Sequence, residues 1–292
     1  MLAVTLPTPS QFRHVKARAP TQWGRLFVDA VDGAPSSHRF QLRIQDPGPP
    51  QQVFQELQSL SNQGQILAES VEVVGIEIAV DFEQIVTGSH DHAEVATYLH
   101  EHMAKPPHGP HRLLYGQRLP VSGKTLKEVK AASGRRAIHA ALRAGRTLVI
   151  GEEYANETAR FYVKNYDSQA GQSYAPLPPD QHRARMERTL IGEYCPIRTL
   201  SDWSKFRFET LAERFAMVLP SQQATPLTAI VRNHYGPALG KPDDPKKRID
   251  HRRQSAPATK RDTHLNAQIR QALRNLTERI HRAESAGIRG IR

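Results

Sequence analysis

Three polar runs, RTLVIGEE (146–153), ARFYVKNYD (159–167) and HRARMERTL (182–190), have the composition and spacing of consecutive β-strands. Successive side chains on a strand point to opposite faces, with a period of two. The polar side chains of the last two runs therefore share one face of each strand: Arg160, Tyr162, Lys164 and Tyr166 on the middle run, and Arg183, Arg185, Glu187 and Thr189 on the third. A face this polar is costly as a packing surface, which favours a functional role for it.

An earlier run, GIEIAVDF (75–82), is the most strand-like segment of the chain. Its even-numbered positions are β-branched or aromatic and predict a core face. Its odd-numbered positions carry Glu77 and Asp81, about 13 Å apart by strand rise. Helical patterns lie between and after these strands. The sequence therefore predicts an α+β fold: an antiparallel β-sheet flanked by helices, with a basic helical C-terminal extension.

The chain is strongly basic, and its charge is unevenly distributed. The formal net charge is +11 and the pI about 9.9. Residues 112–146 carry nine Lys or Arg against one acidic residue, and residues 221–292 carry fifteen against six. The remainder of the chain is mildly acidic. Such segregation by sign favours a nucleic acid as the partner over simple solvation of surface lysines.

Several classes of protein are excluded on composition. The sequence has no apolar run of about 18 residues, so we expect no membrane span. It shows no signal-peptide pattern. Cys195 is the single cysteine, which excludes an internal disulfide and a cysteine-based zinc cage. We therefore expect a cytoplasmic protein.

Composition divides the chain into four parts. Residues 1–20, with three prolines and few apolar side chains, are predicted to be a flexible arm. Residues 21–235 are predicted to form the α+β domain, with a late helix capped by Ser201 or Asp202 that runs to Pro220. Residues 236–260 read as a basic, proline-rich linker. Residues 261–292 read as an amphipathic basic helix that would dock on the domain, pair with a second copy or lie along DNA.

A second basic helical pattern precedes the three polar strands. Four of its arginines lie outside a narrow apolar stripe: Arg135, Arg136, Arg143 and Arg146. These side chains would either lie on DNA phosphates or form a solvated basic surface.

Six of the fourteen histidines lie between residues 90 and 111. The triplets His-Asp-His at 90–92 and His-Glu-His at 100–102 lack an apolar residue between the two histidines, and the HExxH spacing is also missing. We expect a polar helix face in this region rather than a metal site.

The order of the strand motifs resembles that of rolling-circle replication initiation factors, a family encoded by plasmids and filamentous phages. The motifs are a strand ending in an acidic residue (GIEIAVDF), a hairpin with T-L-x-x-G followed by R-x-Y-x-K (RTLVIGEE, ARFYVKNYD), and a strand with R-x-E (RARMERTL). They span about residues 66–192. The resemblance implies an antiparallel sheet with helices, a divalent metal ion and a tyrosine that attacks DNA.

Under this resemblance, Tyr162 is the first candidate for the nucleophile. It shares a strand face with Lys164, which would lower the pKa of the tyrosine hydroxyl and bind the phosphate. Tyr166 is the second candidate. Arg185 would bind a phosphate or pair with Glu187. A strand tyrosine beside a lysine is also an ordinary cross-strand packing pair, and this alternative stays open.

The implied Mg²⁺ or Mn²⁺ needs carboxylate ligands. The candidates are Asp81 and Glu187, with Glu77 behind them. Arg160 and Arg183 lie on the same strand faces and are expected to contact the nucleic acid.

The expected function is initiation of rolling-circle replication of a plasmid, phage or integrative element. The protein would nick one origin strand through a phosphotyrosyl link, with single-stranded or duplex DNA as its partner. A second copy of the chain and host replication proteins are further expected partners. The alternative is a non-catalytic DNA-binding protein that keeps the sheet as a scaffold, and a third reading is an RNA-binding protein of a mobile element.

Overall fold

A computed structural model describes residues 1–11, 25–30, 36–45, 50–64, 66–67, 71–83, 92–109, 111–114, 135–152, 155–168, 174–218 and 261–289. The strands are β1 (Leu2–Ser10), β2 (Arg25–Ala30), β3 (Ser37–Gln45), β4 (Glu72–Val73), β5 (Gly75–Glu83), β6 (His111–Leu114), β7 (Thr147–Ile150), β8 (Glu157–Lys164), β9 (Tyr166–Ser168), β10 (Tyr174–Pro176) and β11 (Arg183–Ile191). The α-helices are α1 (Pro50–Asn62), α2 (His92–Glu101), α3 (Arg135–Arg143), α4 (Leu200–Lys205) and α5 (Thr263–Arg289). Short 3-10 helices span Pro179–Gln181, Gly192–Tyr194 and Phe208–Phe215.

The predicted α+β class is confirmed. Within the described ranges, five strands form an antiparallel sheet in the order β5-β11-β8-β7-β6, which we call the larger sheet. Four strands form a second antiparallel sheet, the N-terminal sheet, in the order β2-β3-β1-β4. β9 and β10 form a separate two-stranded hairpin. In the larger sheet β11 pairs with β5 on one side and β8 on the other, so its central side chains have neighbours on both sides.

The prediction of a flexible arm is wrong for residues 2–10, which form β1 inside the N-terminal sheet. Its alternating apolar side chains are buried in a core that α1 completes: Leu2, Val4 and Leu6. Pro7 and Pro9 fall where the register between β1 and β3 shifts. Proline cannot donate to a strand ladder, so an interruption is where a strand tolerates it. Residues 12–20 of the predicted arm lie outside the described residues.

One face of the larger sheet carries the main hydrophobic core. The even-numbered side chains of β5 lie on it, as predicted, and α2, α3, α5 and the Phe208–Phe215 helix contribute to the same core. Its buried strand side chains are Ile78, Val80, Phe82, Leu148, Ile150, Ala159, Phe161, Ala184, Met186 and Leu190. Because the helices cover this face, the odd-numbered side chains of β5 and β11 and the even-numbered side chains of β8 must occupy the opposite face of the sheet.

The C-terminal helix α5 docks on this core. Its apolar stripe is buried or partly buried: Leu265, Ile269, Leu273, Leu276 and Ile280. The Thr277 hydroxyl, also buried, accepts a hydrogen bond from the Phe208 amide at 2.9 Å and donates one to Glu209 at 2.8 Å. The apolar stripe is therefore not available to pair with a second copy or to lie along DNA.

Shortening a side chain in this stripe tests the docking. Ile269 is 1% exposed, so we expect Ile269→Val to lower the free energy of unfolding by about 1 kcal/mol through loss of one buried methyl group. Ala272→Ser on the exposed side of the same helix is the control and should lower the free energy of unfolding by at most about 0.5 kcal/mol, its cost in helix propensity. Denaturant unfolding followed by circular dichroism measures both. Equal stability of the two variants would contradict the docked position.

The helix predicted to run to Pro220 is instead two short elements. Thr199, rather than Ser201 or Asp202, is the N-cap of α4, and it exchanges hydrogen bonds with Asp202 in a capping box. α4 ends at Lys205, and the chain continues as the 3-10 helix Phe208–Phe215. The predicted linker at residues 236–260 lies outside the described residues. No helix in the described part of the chain has both the length and the apolar character to cross a membrane.

Candidate functional site

The candidate site lies on the face of the larger sheet opposite the core. Pairing places Arg185 of β11 directly opposite Asp81 of β5 and Tyr162 of β8. We use the name polar face for the side chains that share this side of β5, β8 and β11: Glu77, Asp81, Arg160, Tyr162, Lys164, Arg183, Arg185, Glu187 and Thr189. The alternation inferred from the sequence is therefore confirmed for all three strands.

Tyr162 and Glu187 form a buried pair at the centre of the polar face. The tyrosine hydroxyl donates a hydrogen bond of 2.5 Å to Oε1 of Glu187, and each residue is only 7% exposed. Burial raises the pKa of Tyr162, and the negative charge of Glu187 raises it further. The expectation that Lys164 lowers this pKa is wrong, because burial and the Glu187 carboxylate raise the pKa of Tyr162 above its ordinary value.

Glu187 is a carboxylate that titrates near neutrality. Burial raises the pKa of Glu187 to about 7, with a further contribution from the charge of Glu77. The hydrogen bond from Tyr162 and the charges of two arginines oppose this rise. Those arginines approach from both sides, with Nη1 of Arg185 at 3.7 Å and Nη1 of Arg160 at 3.9 Å from the carboxylate oxygens. Glu187 can therefore accept or release a proton at physiological pH.

Asp81 is held by two arginines. Arg185 binds it in a bidentate manner, with Nε 2.5 Å from Oδ1 and Nη2 2.6 Å from Oδ2, and Nε of Arg183 lies 2.8 Å from Oδ2. Burial alone would raise the pKa of Asp81, but these donors hold it below its usual value. The same contacts raise the pKa of Arg185 despite its burial.

Glu77 completes the row of carboxylates. Its Oε2 accepts hydrogen bonds from Nη1 of Arg160 and from the hydroxyl of Thr189, both at 3.1 Å. Arg160 thereby lies between Glu77 and Glu187. Each acid on the polar face thus has arginine or hydroxyl donors as partners.

The predicted metal ligands are close in the fold, but their partners do not suit a cation. Asp81 and Glu187 lie on the same face of neighbouring strands, as a shared metal site would require. Arginines and hydroxyls occupy the carboxylate oxygens, and no group of three His, Cys, Asp or Glu suited to an ion occurs among the described residues. As arranged, Asp81, Glu187 and Glu77 do not fit a divalent metal ion.

Tyr166 does not continue the strand that carries Tyr162. β8 ends at Lys164, and Tyr166 begins β9, where it pairs with Pro176 of β10. Its side chain is 43% exposed. The two candidate nucleophiles therefore differ sharply in environment, since one is buried against a carboxylate and the other faces solvent.

The basic residues predicted to bind nucleic acid are divided between two surfaces. Arg160 and Arg183 belong to the polar face, but α3 packs into the core on the opposite side of the sheet. Arg136 and Arg143 are exposed there, and Arg146 is half-buried after the helix. The side chain of Arg135 lies outside the described part. The fold therefore does not bring the α3 arginines to the surface that holds Tyr162.

Two histidines of the predicted polar helix face pack against aromatic rings. His102 stacks on Tyr98 with ring centroids 4.2 Å apart, and His100 meets Phe161 edge-on. α2 buries most of its length in the core, so these side chains contribute to packing rather than to an exposed polar face. His90 lies outside the described residues.

The sequence does not predict a buried ion network on the core side of the larger sheet. Arg188 is fully buried, and its Nη1 binds Oε1 of Glu157 at 2.9 Å while Nη1 of Arg214 binds Oε2 at 2.7 Å. Arg188 also donates to the carbonyl oxygens of Lys105 and Arg214. The sequence did hold one signal, because an arginine between Met186 and Leu190 falls at a core position of β11.

Comparison of the chain with protein-family models, curated proteins and solved structures finds no match.

Proposed function

We propose that the protein is a DNA-binding replication initiator of a plasmid, phage or integrative element, which nicks one origin strand through a phosphotyrosyl intermediate. The observation that supports this most is the 2.5 Å hydrogen bond from the Tyr162 hydroxyl to Glu187, with Arg160 and Arg185 beside the carboxylate. A nucleophile, a proton acceptor and cations for phosphate oxygens are the groups that phosphodiester transfer to tyrosine needs.

The chemistry follows from the properties of this pair. A tyrosine whose pKa is raised is poorly ionised on its own, so it needs a base in contact with its proton. In the proposed step the Tyr162 oxygen bonds to phosphorus, the hydroxyl proton passes to Glu187, and the bond from phosphorus to the 3′ oxygen breaks. Water protonates the departing oxygen. The phosphotyrosyl link retains the energy of the cleaved bond for later religation.

The arginines beside the pair have a defined task in this step. Negative charge on the phosphate oxygens rises as the tyrosine oxygen attacks, and guanidinium groups stabilise that charge best when they are already in place. Arg160 and Arg185 are held in position by Glu77 and Asp81. Under this proposal the two outer carboxylates orient arginines rather than act on the substrate.

A non-catalytic DNA- or RNA-binding protein is the second candidate, and a specific observation favours it. The Tyr162 hydroxyl is buried with Glu187, and both carboxylate oxygens of Asp81 accept hydrogen bonds from Arg183 or Arg185. Such a closed network also suits a sheet that serves only as a scaffold, with the basic surfaces of the protein binding nucleic acid.

An adduct experiment separates the two candidates. The full chain is incubated with a 3′-labelled single strand of its replicon's origin, with Mg²⁺ or Mn²⁺ and, in parallel, with EDTA, because the proposed step leaves the protein joined to the fragment that carries the 3′ end. The proposed function predicts a labelled protein band that survives denaturation in the wild type and is lost in Tyr162→Phe. Salt-dependent DNA binding with no adduct under any of these conditions would overturn the proposal in favour of the second candidate. A preference for RNA over DNA in a competition assay would then identify that candidate as an RNA-binding protein.

The same experiment tests the metal requirement. The resemblance to the initiator family implies Mg²⁺ or Mn²⁺, but the carboxylates of the polar face do not fit the ion as arranged. A divalent ion would supply additional stabilisation of phosphate charge. Adduct formation in EDTA would contradict a requirement for the ion, and adduct formation only with Mg²⁺ or Mn²⁺ would establish that requirement.

A further inference from the structure

Tyr166 is an exposed aromatic residue two positions beyond the end of β8. It is 43% exposed, although the backbone around it is fixed by the β9–β10 hairpin. The adjoining carbonyl of Asn165 accepts a hydrogen bond of 2.9 Å from the Leu177 amide. An exposed ring on a fixed backbone loses little conformational freedom when a flat ligand stacks on it.

Two cationic residues lie at the end of β8 that precedes Tyr166. Lys164 is two residues from Tyr162 and two from Tyr166 along the chain, and Arg183, the first residue of β11, lies directly opposite Lys164. Arg183 is oriented by Asp81 and by the carbonyl of Gln181, the latter at 3.0 Å. Tyr166 follows Tyr162 by four residues of chain, so their Cα atoms are at most about 14 Å apart.

A second exposed tyrosine provides a contrast. Tyr194 is 39% exposed, but the guanidinium carbon of Arg214 lies over its ring, 5.5 Å from the centroid. Tyr194 also follows the opposite end of β11 from Arg183. In the described ranges no other ring or guanidinium group stacks on Tyr166. Both faces of its ring therefore lack the kind of neighbour that Arg214 provides for Tyr194.

We infer that Tyr166 is a stacking platform for one base of a single-stranded DNA whose backbone crosses Lys164 and Arg183 towards Tyr162. Unpaired bases stack on aromatic rings while adjacent cations contact the phosphates, and this mode requires no particular base. Duplex DNA keeps its bases inside the stack and offers no face to such a ring. The choice of DNA rests on the proposed function, and the stacking role gives Tyr166 a task other than nucleophile.

Binding of a fluorescent oligothymidylate to the full chain, followed by anisotropy in EDTA, tests the inference without any cleavage. We expect Tyr166→Ala to weaken single-strand affinity roughly 5- to 150-fold, the range found when a stacked base loses its aromatic partner. Tyr166→Phe keeps the ring and is expected to recover the affinity. Tyr194→Ala is the matched control and should bind like the wild type, and circular dichroism checks that each variant is folded.

Three results would overturn the inference: wild-type affinity in Tyr166→Ala, equal weakening in Tyr166→Phe and Tyr166→Ala, or the same loss for duplex DNA as for the single strand. Tighter binding of oligouridylate RNA would overturn the choice of DNA. Failure of the proposed function gives a different pattern, because a wild type that forms no adduct can still lose single-strand affinity in Tyr166→Ala. Loss of the adduct in Tyr166→Phe would instead make Tyr166 the nucleophile and reject the stacking role.

Discussion

Replacing Glu157 by glutamine is expected to lower the free energy of unfolding by about 3–5 kcal/mol, the cost of removing one partner from a buried ion pair. Glu157 binds the fully buried Arg188 through one carboxylate oxygen and Arg214 through the other. Burial already lowers the pKa of Arg188 to about 10, against the opposing effect of the Glu157 charge. Without that charge, two guanidinium groups face each other with no anion between them.

Chemical denaturation measures this loss, and two further variants interpret it. Glu213→Gln removes a carboxylate from an exposed pair with Arg261, 52% and 44% accessible, and should cost at most about 1 kcal/mol. The double variant Glu157→Gln/Arg188→Met removes both charges from the core and should regain much of the stability. A Glu157→Gln protein as stable as Glu213→Gln would show that the network does not hold β11 in place.

The polar face could be predicted from the sequence because strand alternation is a local property. The spacing of Arg160 and Tyr162, and of Arg185 and Glu187, is enough to place each pair on one side of its strand. Their partners could not be predicted, because Asp81 and Arg185 are brought together only by the pairing register of β5 and β11. The members of the site can therefore be predicted from the sequence, but the pairing of the carboxylates with arginines rather than with a metal ion cannot.

Three other features depended on longer-range contacts. The prolines of β1 predict a flexible arm despite a short apolar alternation, and pairing with β3 is what makes this segment a strand. Arg188 falls at a core position, but its counter-ions Glu157 and Arg214 come from distant elements. Tyr166 has the right period for β8, but the chain leaves that strand at Lys164 to form a hairpin with β10.

Under the proposed function, replacing Glu187 by glutamine is expected to slow phosphotyrosyl formation by roughly 10²- to 10⁴-fold, the usual contribution of a positioned proton acceptor. Glutamine keeps the shape of the side chain and can still accept a hydrogen bond from the Tyr162 hydroxyl, but it cannot take up the proton. Single-turnover adduct formation on a labelled origin strand measures the rate. Glu193→Gln, an exposed glutamate just beyond the end of β11, is the control and should react like the wild type.

The pH dependence of the same rate identifies the base. Because the pKa of Glu187 is raised to about 7, the wild-type rate should rise as pH increases through 7 and the carboxylate loses its proton. Glu187→Gln should lack this rise. A pH profile that is the same in the two proteins would assign the proton to a different acceptor, whatever the size of the rate loss.

Stability should change with pH in the opposite sense, because the folded state binds this proton more tightly than the unfolded chain does. The contribution of Glu187 to the free energy of unfolding is complete below pH 4.5, the ordinary pKa of a glutamate, and is lost as the pH rises through the folded-state pKa of about 7. Glu187→Gln should remove that loss from the pH dependence of denaturant unfolding. The proposed reaction thus needs the ionised form of Glu187, which is the form that burial destabilises. Such destabilisation is expected of a group placed for proton transfer rather than for packing.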